Sequence, residues 1–180
     1  MAPFTDADRN AWYHDGVHYC VEHGLMVGTS KTTFVPDISI TRGMLVTILW
    51  RLEGSLIVDA PMPYGDVAPE VWYTEAIRWA DSAGVVTGYG NGTFGPNDPI
   101  TREQMAAMLW RYAGSPDVDG SLSIFADGTE TSSWAQTAMI WAVEQELITG
   151  VGNGRLEPGG QATRAQAATI LMRYVKNAEK

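Results

Sequence analysis

The sequence is poor in cysteine, in basic residues and in long apolar runs, and each shortage argues against a class of protein. It has one cysteine, Cys20, so an internal disulfide and a cysteine cluster for zinc are both excluded. Its 12 Lys and Arg residues against 21 Asp and Glu give a net charge of −9. That balance argues against nucleic-acid binding, because phosphates are contacted mainly by clustered cations. No run approaches the roughly 18–20 apolar residues of a membrane span, and no secretory-signal pattern opens the chain.

What the sequence does contain is enough for a folded core. Of its 180 residues 45% are hydrophobic and 18% are charged, a composition that is too apolar for a disordered chain. Seven tryptophans indicate either aromatic packing or a carbohydrate-binding surface. The opening residues, Met1-Ala2-Pro3-Phe4, resemble the interior of a structural unit, and we therefore expect the chain to be a segment of a longer protein.

The sequence repeats itself three times. A shift of 60 residues places Trp72 on Trp12 and Thr101-Arg102 on Thr41-Arg42 without a gap, and a shift of 62 then aligns the third unit. Gly, Pro and Asp, which are typical of turns, fill the stretches between the units. We predict one domain over 1–180 with repeats at 4–54, 64–114 and 125–176.

Each repeat is predicted to be a helix, a loop and a second helix. In the second repeat an apolar stripe at helical spacing covers about 70–83, a glycine-rich turn follows at 88–92, and a second helix runs from Thr101 to about Tyr112. One such unit cannot enclose its own apolar face. We therefore predict an all-α fold in which the first helices pack on one another, with the small residue Cys20, aligned with Ala80 and Ala142, in the core.

The Thr-Arg pair that opens each second helix is the main candidate for function. Thr101 and Gln104 predict a capping box, which Thr163 and Gln166 repeat. The arginine after each threonine opposes the helix dipole, so local stability does not explain it. A guanidinium at a helix N-terminus is a receptor for carboxylate or phosphate. The alternative, which the sequence leaves equally open, is an arginine paired with a nearby Asp or Glu that ties repeats together.

The glycine loop is the expected companion surface, because glycine lets the backbone approach a ligand closely. Tyr89 can lie flat on a sugar, and Asn91 and Asn153 can bond its hydroxyls, although a solvent-exposed turn without a ligand is the simpler interpretation. The predicted ligand-binding residues are Arg42, Arg102, Arg164, Tyr89, Asn91, Asn153, Gln104 and Gln166. We expect Arg102 to bind most strongly, because its repeat combines the capping box, Tyr89 and the Asn-Gly turn; its partners can also come from the loop of a neighbouring repeat, and the sequence does not identify which neighbour.

Other residues are given structural roles. His14 and His18 have a spacing that suits zinc, but the other repeats do not share it, and we expect no metal and no cofactor. Trp12, Trp72 and Trp134 begin apolar stripes, which favours core packing. We interpret Arg51, Arg111 and Arg173 as cations that suit the ends of the second helices. No catalytic grouping of residues is recognisable.

Taken together, the motifs resemble the S-layer homology module. The resemblance rests on Phe/Tyr-x-Asp, a following tryptophan, the loop Gly88-Tyr89-Gly90-Asn91-Gly92-Thr93-Phe94 and Ile100-Thr101-Arg102-Glu103-Gln104, and it extends over about 4–176. It implies a pseudo-threefold spindle around a central three-helix bundle, with ligand grooves between repeats. The implied ligand is an anionic secondary cell-wall polysaccharide attached to peptidoglycan, often with a pyruvate ketal whose carboxylate meets the Thr-Arg arginine.

The resemblance also implies a non-catalytic module that is secreted to the bacterial cell surface, cell wall or S-layer. The alternative function is protein–protein docking or self-assembly with other S-layer subunits. The first repeat departs from the pattern, since it lacks the Asn-Gly turn and has Gly43-Met44 after Thr-Arg. The third repeat has Val151 in place of tyrosine. We expect grooves built from these parts to bind weakly or not at all.

Overall fold

A computed structural model describes residues 4–179 of the chain; the two ends of the predicted domain, 1–3 and 180, lie outside that range. Within it the regular structure is helical, with two short 3₁₀ helices, Gly128–Glu130 and Ser133–Ala135, in the third repeat. The α-helices are α1 (His14–Glu22), α2 (Arg42–Leu52), α3 (Thr74–Ser82), α4 (Arg102–Tyr112), α5 (Gln136–Glu144) and α6 (Arg164–Ala178). The predicted all-α fold of three helix–loop–helix repeats is confirmed.

The second helices begin where the sequence predicted, because their caps are local. The Thr101 hydroxyl accepts from the Gln104 N–H at 3.3 Å, and the Gln104 side-chain oxygen accepts from the Thr101 N–H at 3.2 Å. This reciprocal capping box recurs between Thr163 and Gln166. In the first repeat Thr41 still caps Met44, but methionine cannot return the bond.

A ring of three backbone hydrogen bonds joins the repeats at the entrance to the second helices. Ile40 N–H donates to Ala162 at 2.9 Å, Ala162 N–H donates to Ile100 at 2.9 Å, and Ile100 N–H donates to Ile40 at 3.0 Å. All three residues are fully buried. Because each precedes a capping threonine by one position, the N-termini of α2, α4 and α6 gather around a pseudo-threefold axis.

Each first helix packs against the second helix of the preceding repeat, so that α1 packs on α6, α3 on α2 and α5 on α4. The closest packing of each first helix is therefore with a second helix, a pairing that the sequence did not predict. Cys20 is buried as expected, but its thiol lies 3.4 Å from the Ala168 carbonyl oxygen of α6. The apolar stripe of a helix identifies the face that is buried and not the helix that covers it. The α1–α6 contact closes the chain from its first helix to its last.

The loop of each repeat is held by the aspartate that opens it. Asp6 accepts from the Phe34 N–H at 2.8 Å, Asp66 from the Phe94 N–H at 2.8 Å and Asp127 from the Leu156 N–H at 2.7 Å. The side chains of Phe34, Phe94 and Leu156 are fully buried in the common core.

Within residues 4–179, no helix has both the length and the hydropathy needed to cross a bilayer.

Candidate functional site

Three grooves are repeated around the axis, and each is built from all three repeats. Each groove contains the arginine at the first position of one repeat's second helix, called here the first-position arginine. It also contains the loop and second helix of the next repeat and a tryptophan of the repeat after that. Groove A, about 420 Å³, is lined by Arg42, Val86, Thr87, Gly88, Tyr89, Gln104, Ala107, Met108, Arg111 and Trp134. Groove B, about 400 Å³, is lined by Trp12, Arg102, Leu147, Ile148, Thr149, Gly150, Val151, Gln166, Thr169, Ile170 and Arg173. Groove C, about 240 Å³, is lined by Leu25, Met26, Val27, Gly28, Thr29, Met44, Thr47, Ile48, Arg51, Trp72 and Arg164.

The first-position arginines have a structural role in joining the repeats, but their partners are carbonyl oxygens and not the carboxylates that the sequence left open. Arg42, Arg102 and Arg164 are only 5%, 4% and 6% exposed. Each donates from Nε to a carbonyl oxygen in the next repeat's loop, at 2.8 Å to Phe94, 2.8 Å to Leu156 and 2.9 Å to Phe34 respectively. These bonds tie the repeats together, which explains an arginine placed against the helix dipole. The alternative of a pairing carboxylate fails, because no Asp or Glu oxygen of the described chain lies within 4.0 Å of these guanidinium nitrogens.

The helix N-termini themselves are already occupied by protein. The Arg42 N–H donates to the Asp98 carbonyl at 3.0 Å and the Gly43 N–H to the Pro96 carbonyl at 2.9 Å, and α4 and α6 are held in the same way by the loops of their neighbours. The expected combination of a free helix N-terminus with a guanidinium is therefore wrong in its first part. The guanidinium groups line the grooves, but the N–H groups of the helix N-termini are bonded to neighbouring loops.

The charge of these guanidinium groups is incompletely offset by the protein. Burial lowers the pKa of Arg42, Arg102 and Arg164, because desolvation disfavours their charged form. An anion that reached such a group would offset that penalty. A second arginine lies further along each groove, and two of these donate to loop carbonyls, Arg51 to Leu25 at 2.9 Å and Arg173 to Leu147 at 3.2 Å. Each groove is thus locally cationic in a chain whose net charge is −9.

The exposed tryptophans are the groove residues that sequence reasoning placed wrongly. Trp12, Trp72 and Trp134 are 65%, 56% and 54% exposed, so the prediction that they pack in the core is wrong. Trp12 and Trp72 lie in the turn before the first helix, and Trp134 lies in the 3₁₀ helix Ser133–Ala135. In each repeat the regular first helix begins two residues after the tryptophan, which is therefore outside its apolar stripe. Trp12 and Trp72 lean edge-on against Tyr13 and Tyr73, with ring centroids 5.4 and 4.9 Å apart. Their position offers an aromatic face on one side of each groove.

The predicted loop residues divide into two groups. Tyr89 lines groove A, where its ring centroid lies 4.5 Å from Cζ of Arg42 and its hydroxyl donates to Asp98 at 3.0 Å. Asn91 and Asn153 are exposed and line none of the three grooves. The Asn91 oxygen accepts from the Thr93 N–H at 3.1 Å, and Asn153 has a φ of 51° that suits a tight turn. These two asparagines shape the loops.

The grouping of residues also differs from the expected one. Gln104 lines groove A with Arg42, and Gln166 lines groove B with Arg102, because an arginine meets the loop of the following repeat. Arg102 therefore does not share a groove with Tyr89, and its partners come from the loop of the following repeat, a possibility that the sequence left open. Its own groove B is the one with Val151 in the place of the tyrosine.

The histidines lie apart from the three grooves. His14 contacts Asp15 and His18 contacts Glu22, each at 3.4 Å. Across residues 4–179 no group of three or more His, Cys, Asp and Glu side chains has a geometry that could hold a metal ion.

Several proteins resemble the chain over nearly its whole length. An endoglucanase of Bacillus sp. (strain KSM-635) is 34% identical over 175 residues, which is 94% of this chain and 18% of that protein. The S-layer protein sap of Bacillus anthracis is 31% identical over 96% of this chain and 21% of its own length. An amylopullulanase of Thermoanaerobacterium thermosulfurigenes is 29% identical over 93% of this chain and 9% of its own length. The chain thus spans about a fifth or less of these relatives.

The family comparison agrees with the threefold structure. The family described as the S-layer homology domain matches three segments, 3–43, 63–106 and 124–168, and each contains one first helix, one loop and the Thr-Arg start of one second helix. The chain belongs to the S-layer homology domain family.

Proposed function

We propose that this chain anchors its parent protein by binding an anionic secondary cell-wall polysaccharide in the grooves between its repeats. The observation that carries the proposal is a desolvated guanidinium, Arg42 or Arg102, at the edge of an open groove that also holds a second arginine and an exposed tryptophan. A carboxylate on a sugar, such as that of a pyruvate ketal, has the charge and the planar shape that a guanidinium fork accepts.

The wider setting follows from the family. The chain is a secreted module of the cell surface, as its S-layer homology membership and its S-layer relatives indicate. Its similarity to the endoglucanase and the amylopullulanase covers only 18% and 9% of those proteins. We infer that this module supplies attachment, and that any catalysis in such relatives belongs to other parts of their chains.

Each element of a groove has a distinct role in the proposed binding. The Nε of Arg42 is fixed by Phe94, which orients the guanidinium and leaves its terminal Nη groups for the carboxylate. Trp134 offers an aromatic face for the apolar side of a sugar ring. Gln104, whose oxygen completes the capping box, has an amide N–H₂ that suits a sugar hydroxyl. In groove B the same roles fall to Arg102, Trp12 and Gln166.

The net charge of −9 does not prevent binding of an acidic polymer. At physiological ionic strength, interactions between exposed charges are screened beyond about 8–10 Å. The two arginines of a groove are therefore the charges that a bound sugar experiences, and the acidic residues elsewhere affect mainly its approach.

The proposal is tested by sedimentation with purified cell-wall sacculi, with and without chemical removal of the non-peptidoglycan polymer. We expect the chain to sediment with intact sacculi and to stay in solution with stripped ones. Trp12→Ala and Trp134→Ala should weaken sedimentation, whereas Lys31→Ala, which removes one exposed cation outside the grooves, should not. Equal binding to stripped sacculi would contradict the proposal, and self-association without sacculi would favour S-layer assembly.

A further inference from the structure

Groove C differs from grooves A and B at its arginine. Arg164 donates from Nη2 to the Val27 carbonyl oxygen at 2.7 Å, in addition to its Nε bond to Phe34 at 2.9 Å. The side chains of Arg42 and Arg102 make only the Nε hydrogen bond within residues 4–179. Val27 belongs to the loop that lines groove C, so the protein's own carbonyl uses a guanidinium N–H donor that has no protein partner in the other two grooves among the described residues.

The cause lies in the backbone of the first-repeat loop. Gly88 and Gly150, at equivalent positions in the other repeats, have φ values of 61° and 89°. Gly28 lies outside this left-handed region, so the backbone of the first-repeat loop follows a different course at this position. The loop has no Asn-Gly turn and is instead braced by hydroxyls, with the Ser30 and Thr33 side-chain oxygens 2.7 Å apart. The contact between Val27 and Arg164 is therefore built into this repeat.

The walls of groove C are also less polar. Met44 stands where grooves A and B have Gln104 and Gln166, and Val27 stands where they have Thr87 and Thr149. The second arginine, Arg51, is bound to the Leu25 carbonyl at 2.9 Å. The volume of groove C is about 240 Å³, against about 420 and 400 Å³ for A and B. What remains is a smaller groove with an apolar wall facing Trp72.

We propose that groove C binds an uncharged sugar unit through its apolar face, and that grooves A and B take the acidic units. This inference rests on the proposed function, since it assigns different units of one polymer to different grooves. A carboxylate entering groove C would meet a guanidinium with fewer free N–H donors than Arg42 or Arg102 offers, and it would be repelled by the Val27 carbonyl oxygen bound there. A neutral ring can instead stack on Trp72 and contact Met44 and Ile48 without breaking any bond.

The three exposed tryptophans provide one reporter for each groove. The indole N–H resonances of Trp134, Trp12 and Trp72 report grooves A, B and C, and they can be assigned in ¹⁵N-labelled protein with single Trp→Phe variants. Two disaccharides serve as probes, identical except that one carries a pyruvate ketal. The remaining tryptophans, Trp50, Trp79, Trp110 and Trp141, line none of the three grooves and serve as internal references.

With the pyruvylated probe, the indole resonances of Trp12 and Trp134 should shift at probe concentrations about tenfold or more below those that shift the Trp72 resonance. This ratio is the one expected from the loss of one charge-assisted hydrogen bond. With the neutral probe, Trp72 should respond most strongly. If Trp72 follows the pyruvylated probe with the same Kd as the other two, or ignores the neutral probe, the inference is wrong while the proposed function stands. If no tryptophan responds to either probe, the proposed function fails as well.

A matched pair of exposed substitutions gives a second test that does not threaten the fold. Calorimetry with the pyruvylated disaccharide should show two binding equivalents for the wild type and for Trp72→Ala, but one for Trp134→Ala. The neutral disaccharide should lose its measurable binding only in Trp72→Ala. A reduced stoichiometry for the acidic probe in Trp72→Ala would overturn the assignment of groove C.

Discussion

The Nε of Arg42 donates to the carbonyl oxygen of Phe94 at 2.8 Å, and this bond joins the start of a helix in the first repeat to the loop of the second. Arg102 and Arg164 make the equivalent bonds, so one such bond joins each repeat to the next around the pseudo-threefold axis. The side chain that lines each groove is therefore also a tie between repeats. The proposed binding and the fold depend on the same three residues, so experiments on them must separate the two effects.

Arg102→Ala should lower the free energy of unfolding. It removes a buried hydrogen bond from a charged donor, a loss of about 1.5–3 kcal/mol, whereas Thr101→Ala removes a helix cap at a cost of about 1 kcal/mol. The loss of this bond outweighs the small gain from removing a cation that opposes the helix dipole. Urea denaturation of both variants, with Lys31→Ala as the control, provides the measurement. An Arg102→Ala variant as stable as the wild type would contradict the role of the Leu156 bond.

Lysine should not restore that stability. Arg102→Lys keeps a positive charge but has no Nε–H at the position that faces the Leu156 carbonyl, so it should unfold at nearly the same urea concentration as Arg102→Ala. Recovery of more than half of the lost stability in the lysine variant would show that charge, and not the geometry of the fork, is what matters at this site.

The local parts of the fold could be predicted from sequence, and the parts that depend on the order of repeats could not. Thr101 and Gln104 are three residues apart, so the local sequence is enough to predict their capping box. The partner of Arg102 is Leu156, 54 residues away, and the spacing of motifs does not reveal which neighbour's loop an arginine enters. Tyr89 and Arg102 belong to the same repeat, yet Tyr89 lies beside Arg42 of the repeat before it.

The exposed tryptophans show a second limit of sequence reasoning. Trp72 falls near an apolar stripe and is therefore read as core, yet the helix starts only at Thr74 and the tryptophan remains in the preceding turn. A large aromatic residue kept at the same turn in every repeat was the signal available. Burial in the core is the more common reason for a repeated tryptophan, so the sequence pattern by itself favours packing.

Trp12→Ala should separate binding from stability. Its side chain is 65% exposed, so its loss should leave the melting temperature nearly unchanged. Removing its contact with a sugar face, on the order of 40 Å² of apolar area, should cost about 1 kcal/mol, or roughly fivefold in affinity. Calorimetric titration with the pyruvylated disaccharide and a thermal melt test the two parts. A large fall in melting temperature with unchanged affinity would identify Trp12 as a structural residue.

Gly16→Ala should destabilise the contact that closes the chain. On an exposed helix this change stabilises by roughly 0.5–1 kcal/mol. Here a Cβ on Gly16 would come within 2.7 Å of the Thr169 Cα on α6, which is backbone and cannot move aside cheaply. We expect a net loss of about 1–3 kcal/mol from overpacking. Thermal melts of Gly16→Ala beside the exposed control Glu22→Ala provide the measurement, and a rise in melting temperature would show that α1 and α6 are less closely packed.

Asp127 should make the stability of the third repeat sensitive to acid. Its carboxylate is buried and accepts from the N–H groups of Leu156 at 2.7 Å and Glu157 at 2.9 Å. The Leu156 hydrogen bond, opposed in part by burial, lowers the pKa of Asp127 below its ordinary value. A carboxylate with a lowered pKa in the folded state contributes stability that is complete above the unfolded pKa and is lost as pH falls through the folded one.

Asp127→Asn should therefore be less stable than the wild type at pH 7, because an amide N–H₂ cannot accept from the Glu157 N–H. Its melting temperature should fall less steeply than that of the wild type between about pH 5 and about pH 2, so that the two curves converge in acid. Melting curves across this range test the sign directly. Curves that stay parallel would mean that the folded protein does not favour the ionised carboxylate, and that the aspartate holds its loop by shape and not by charge.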